Sequence, residues 1–179
     1  FIMIGGSMVT MHVRTYLEQE SVLEYVDAWR ERALENGGLL PDNVGLSGEV
    51  GEYQNGKWYG GNYGWTWPHG FYNIVQAAIV AGANAYILSQ NPDYLDLART
   101  QIALIIKEGE IKDLQQLEMS LGSHFAGILE SLDEPKETFV VPYRYGDKGW
   151  FDYHPMMLMF PTALWNLSMD QTDWNNIEE

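Results

Sequence analysis

Five carboxylates and a run of aromatic rings carry most of the chemistry this chain could perform. Asp42 follows a helix end in Leu40-Pro41-Asp42-Asn43, Glu49 and Glu52 flank the loop that comes next, and Asp147 and Asp152 lie in the charged aromatic stretch Tyr143 to Pro155. Two carboxyls facing each other across a glycosidic bond can hydrolyse it. The separation is roughly 5–5.5 Å for retention or roughly 6.5–9.5 Å for inversion, and apolar surroundings must keep one of the pair protonated. Four of the five also have a plainer reading: Pro-Asp-Asn is ordinary turn sequence, Gly48 to Glu52 suits a solvated turn, and Gly146-Asp147-Lys148-Gly149 suits a salt-bridged one, a reading less apt for Asp152, which sits between rings.

Between these groups, Tyr53 to Tyr72 packs eight aromatics, five glycines, one Lys and one His into twenty residues with no carboxylate. Such a composition suits an irregular loop that presents flat rings, and the C–H faces of sugars are common partners for such rings. Trp58, Trp65, Trp67 and, in the later stretch, Tyr145 and Trp150 are the candidate stacking surfaces, with Asn43 and Asn62 able to bond hydroxyls. His69 precedes a helix and can act as a base, with Tyr63 as a proton donor. An eliminative route is the alternative: Arg144 neutralises a uronate carboxylate while Tyr63 or Tyr145, with His69 or His154, moves the adjacent proton. The competing reading of Trp65, Trp67 and His69 is a plug and cap on the helix that follows.

Whole-chain composition narrows the partners. A net charge of −15, with only ten Lys and Arg among 179 residues, argues against nucleic acid, whose binding needs clustered cations. The absence of Cys removes disulfides, thiolate metal sites and Cys nucleophiles. The longest apolar stretch, Ile74 to Leu88, is interrupted by Gln76, Gly82 and Asn84, so no membrane span is expected. No HExxH, Walker, GxSxG or EF-hand pattern occurs, and no cofactor or metal is called for.

The elements that must position these residues read as helices. Ser21-Val22-Leu23-Glu24 has the form of a capping box, opening a helical pattern that Gly37 and Gly38 stop. Asn91 and Pro92 open another, with Leu95, Ala98, Ile102, Ile105 and Ile106 as its apolar stripe and Gly109 as its end. Each is preceded by a further helical segment, Met8 to Gln19 and Tyr72 to Ser89, which gives two helical hairpins about seventy residues apart. The small residues Ala77, Ala78, Ala81, Gly82, Ala83 and Ala85 would let neighbouring helices approach closely. Asp113 to Leu132 reads as helix interrupted near Gly122, Thr138 to Val141 as a short strand, Thr162 to Ser168 as a third inner helix and Thr172 onward as its partner. The lack of an initial Met and the abrupt close at Glu179 suggest a segment of a longer catalytic domain.

Repeated hairpins with aromatic, Gly-rich loops resemble the (α/α) toroids of six-hairpin glycosidases and related polysaccharide lyases. The resemblance rests on Tyr25-Val26-Asp27 against Tyr94-Leu95-Asp96, and on the loops Leu39 to Gly70 and Tyr143 to Pro161. It implies an all-α fold with little or no β, residues 1–179 as one toroid segment, a sugar cleft at the loop end, and a secreted or periplasmic location. The function expected is a glycoside hydrolase, with a uronate lyase or a non-catalytic glycan-binding helical repeat as alternatives.

Overall fold

In the computed structural model, residues 16–113 and 137–178 are described. The element order is α1 (Tyr16–Glu35), α2 (Phe71–Ser89), a 3-10 turn (Pro92–Leu95), α3 (Asp96–Lys107), β1 (Glu110–Asp113), β2 (Glu137–Gly146), β3 (Gly149–Pro155), α4 (Met159–Ser168) and α5 (Gln171–Glu178). The strands form one open antiparallel sheet in the order β1-β2-β3. The fold is therefore mixed α/β, and the expected all-α toroid of repeated hairpins is overturned.

Two local features account for the difference. Ser21 and Glu24 do not open a helix, because α1 already runs through them from Tyr16 without interruption. The first hairpin is thus absent from the described residues: nothing between Gln19 and Ser21 breaks helical hydrogen bonding, and no Gly or Pro stands there. The second feature is the stretch after Tyr143, which is a β-hairpin and not a long loop. Gly146 pairs with Gly149 across a turn at Asp147 and Lys148, and Tyr145 pairs with Trp150. Strand β2 extends the expected Thr138 to Val141 segment to Gly146. Pro142, with no N–H to give a ladder, lies past the end of β1, where β2 has a single neighbour. Of the expected helical stretches, Met8 to Gln19 is described only from Tyr16, where it belongs to α1, and Asp113 to Leu132 only at Asp113, which ends β1; the rest of both, His12 and His124 included, lies outside the described residues.

Other boundaries follow local cap chemistry. Helix α1 closes with Gly37 and Gly38 in left-handed conformations, and the Gly38 N–H donates to the Ala33 carbonyl at 2.7 Å. Asn91 caps the next turn, its side chain accepting from the Asp93 N–H at 3.1 Å with Pro92 behind it.

Helix α2 is the centre of the core. It packs against α1, the 3-10 turn, α3, α4 and β2, burying Phe71, Ile74, Val75, Ala78, Ala81, Gly82 and Ala85. A Cβ on Gly82 would lie 2.6 Å from the Tyr94 carbonyl oxygen, so the small-residue surface is where the 3-10 turn comes closest. By length and composition α2 is also the one described helix apolar enough to cross a membrane, a test that core helices pass as well. Leu97, Ala98, Ile102 and Ile105 of α3 and Phe160 and Leu164 of α4 complete the core around it.

Candidate functional site

The segment from Leu39 to Gly70 contains no helix or strand, yet its backbone is tied down at many points. Asp42 is the organiser. Its carboxylate accepts the Gly61 N–H at 2.9 Å and also the Trp65 N–H, while its own N–H donates to the Trp58 carbonyl at 2.9 Å. Gly61 and Gly64 are required by this approach, since a Cβ on either would fall within 2.3 Å of an Asp42 oxygen. Burial raises the Asp42 pKa above the ordinary carboxylate value, and the N–H groups of Gly61, Trp65 and Gly60 pull against that rise without cancelling it.

Trp65 anchors the loop from within. It is fully buried, its indole N–H donates to the Leu40 carbonyl at 2.7 Å, and its carbonyl accepts the Tyr145 N–H at 3.1 Å. Around it Trp58, Tyr59, Tyr145 and Trp150 form a ring cluster with centroids 4.8 to 6.0 Å apart. Such edge-to-face pairs add to area burial, by about 0.5–1.5 kcal/mol each. Trp58, Trp65, Tyr145 and Trp150 are thus wholly or partly packed into the junction between loop and sheet. Asn43 spends its side-chain amide on the Lys57 carbonyl at 3.0 Å.

Further bonds link loop to sheet. Thr66 Oγ1 donates to the Tyr145 carbonyl at 2.9 Å, and Arg144 Nη2 donates to the Pro68 carbonyl at 2.7 Å, just after the cis Trp67-Pro68 peptide. Arg144 is itself held by Asp152, with Nε 3.0 Å from Oδ2, and the other Asp152 oxygen lies 3.0 Å from His154 Nε2. Asp152 has a left-handed backbone (φ 60°) in the middle of β3, and its side chain is only 6% exposed. Tyr143, whose ring packs on His154, has its phenol pKa pushed up by burial.

Asp147 lies elsewhere, exposed at the hairpin tip, where it takes Lys57 Nζ at 2.7 Å and the Tyr59 hydroxyl at 3.1 Å. Lys57 first and Tyr59 second hold its carboxyl below the ordinary value of 3.8. The stability contributed by this surface pair is present above that value and fades as pH falls through the lowered one, the opposite of Asp42, whose raised pKa favours the folded state at the acid end. A carboxyl-detected NMR titration should therefore find Asp42 above 3.8 and Asp147 below it. A reversed order would contradict the contacts just described. On the N-terminal side, Glu52 accepts from the Ser47 N–H and hydroxyl at 3.1 and 2.7 Å, while Glu49 is exposed and its backbone carbonyl accepts from Gly45.

Three rings of this loop stay more than half exposed, Tyr53, Tyr63 and Trp67, and the last two form a pair. Tyr63 and Trp67 are 54% and 59% exposed with centroids 6.2 Å apart. Asn73 of α2 donates to the Tyr63 carbonyl at 3.1 Å, and Asn62 and Trp67 form a parallel bridge, so the pair stands over the first turn of α2. Exposed Asn62 and His69 are its sequence neighbours, and His69 packs edge-on to Tyr72. Sequence reasoning chose Tyr63 and Trp67 but not the groups that hold them, Thr66, Gly70 and Asn73. Of these only Gly70 carried a signal, as a glycine directly before a helical run.

Asp42→Ala is expected to lower unfolding free energy by about 2–4 kcal/mol, because two partly buried hydrogen bonds, from the Gly61 and Trp65 N–H groups, lose a charged acceptor. Urea unfolding followed by Trp fluorescence measures this, and a loss under about 1 kcal/mol would contradict the organising role.

Fold and site together define a small mixed α/β domain in which a sheet and an acidic turn hold two aromatic rings in solvent. The chain belongs to the family described as Domain of unknown function (DUF8034), whose model matches residues 7–179. No curated protein and no solved structure matches it significantly. The family carries no glycosidase or lyase assignment, and the toroid that suggested those activities is not the fold. The expectations of a glycoside hydrolase, of a uronate lyase and of a helical repeat protein are corrected accordingly. Among the described residues, no group of three or more His, Asp or Glu side chains is arranged to hold a metal.

Proposed function

We propose that the domain is a binding module whose ligand is a carbohydrate lying on the Tyr63 and Trp67 rings. The observation that carries this reading is the contrast within one loop. Trp65 is fully buried and Trp58 partly so, while Tyr63 and Trp67 are more than half exposed on backbone fixed from three sides. Large rings left in water mark interaction surfaces when the chain could have turned them inward. Sugars present apolar C–H faces to such rings and hydroxyls to groups such as Asn62 and His69. Arg144, which reaches the Pro68 carbonyl, and Lys57 of the same loop are each engaged by a carboxylate, and the chain is strongly acidic, so the reading favours a neutral sugar.

A glycan array followed by calorimetry tests it. Trp67→Ala should weaken binding to the best array ligand about tenfold or more, an effect of roughly 1.4 kcal/mol, while leaving the fold intact by circular dichroism. Absence of binding across the array, or unchanged affinity in the folded variant, overturns the proposal.

A further inference from the structure

The two rings also carry information about the physical form of the ligand, an inference that rests on the carbohydrate reading. Tyr63 and Trp67 are inclined to each other by 50°. They cannot both lie flat on one plane, so a rigid, flat polysaccharide surface could engage only one of them. Nor can a sugar ring enter between them. Contact on both faces of an inserted ring needs roughly 7 Å or more, twice the carbon–carbon contact distance, and the centroids are 6.2 Å apart. The rings are therefore placed to act side by side.

A chain with rotatable linkages meets this requirement. Turning successive units about the glycosidic bonds lets one unit face Tyr63 and the next face Trp67, a match open to a free chain and closed to one locked in a crystal lattice. The loop cannot flatten itself to suit a planar surface. The Tyr63 carbonyl is bonded to Asn73 of α2, while the Pro68 carbonyl beside Trp67 is bonded to Arg144 of β2. The backbone that carries the two rings is thus tied to different elements of a packed domain. From the tilt, the spacing and the separate anchors, we infer that the site selects a single soluble glycan chain, reads two adjacent sugar units, and does not bind crystalline polysaccharide surfaces.

Two measurements on the intact chain test this. Calorimetry is run with the mono- to hexasaccharide series of whichever neutral glycan scores on the array, and depletion assays with microcrystalline cellulose and with crystalline chitin. The expected result is affinity that rises about tenfold or more from the monosaccharide to the disaccharide or trisaccharide and then levels, with no depletion by either solid. Tyr63→Ala and Trp67→Ala should each remove that length dependence, leaving the variant to bind disaccharide no better than monosaccharide. Depletion by either solid overturns the inference, as does a monosaccharide bound as tightly as the hexasaccharide. Both outcomes leave carbohydrate binding itself standing. Failure of every soluble and solid glycan overturns the reading beneath it.

Discussion

Gly70→Ala is expected to remove about 3–5 kcal/mol of stability, combining backbone strain with a backbone collision. Gly70 precedes α2 with φ 47° and ψ −120°, a conformation that disfavours any side chain. A Cβ there would lie 1.8 Å from the Tyr143 carbonyl oxygen and 3.0 Å from that of Trp65. Neither neighbour can yield cheaply, because one is in the central strand and the other in the buried knot of the loop. The variant would have to lift the start of α2 off the sheet, disturbing the ring pair and the Phe71 contacts together. Gly56→Ala is the control: it also has a left-handed backbone, but its added Cβ meets nothing within 4 Å, so about 1–2 kcal/mol is expected. Urea unfolding of both variants measures the difference, and equal losses would show that the loop and β2 do not approach as described.

The second large effect belongs to the clamp between α3 and α5. Arg99 reaches Asp173 through Nε at 2.9 Å and Nη2 at 2.8 Å, and also bonds Asp96 at 2.9 Å. Asp173 is almost wholly buried and takes the Ser168 hydroxyl at 2.5 Å as well. Arg99→Leu strands that carboxylate in the interior, which is expected to cost about 3–5 kcal/mol. Replacing both partners, as in Arg99→Leu with Asp173→Leu, should recover a substantial part of the loss, because no unpaired charge then remains buried. Hydrogen exchange supplies an independent readout: amides of Gln171 to Glu178 should exchange faster in the single variant. An additive double-mutant cycle would mean that the pair is not coupled.

These two positions also show what the sequence could and could not reveal. Caps were legible because their chemistry is local. Gly37 and Gly38 end α1, and Asn91 with Pro92 opens the next turn, through bonds that span at most five residues. Ser21 misleads for the same reason: a four-residue pattern cannot register that the helix before it runs on without a break. The sheet was missed because Tyr143, Tyr145, Trp150 and Tyr153 read as loop aromatics until Gly146 and Gly149 are paired across their turn.

Loop composition pointed to exposed rings, yet not to which ones. Trp65 and Trp67 stand two residues apart with opposite burial, and the partners that decide it, Leu40, Asp42, Arg144 and Tyr145, lie some 23 to 80 positions away. Likewise Asp147 and Asp152, five residues apart, both stand as candidate carboxylates in the sequence, the turn reading weaker for Asp152 because it sits between rings. The hairpin sends one to an exposed tip and the other into a buried bridge with Arg144.

The left-handed turn of the backbone at Asp152 has a consequence beyond its own side chain. Among the described residues, strand β3 is an outer strand of the sheet, the kind of border on which another chain can add a strand and start aggregation. A residue at φ 60° in its middle interrupts the regular row of N–H and C=O groups, and Pro155 removes a donor at its end. The opposite border, β1, is four residues long and carries Glu110, Lys112 and Asp113. Both margins of the sheet are poor templates for further strands, so the domain can keep large rings in water while resisting edge-to-edge polymerisation.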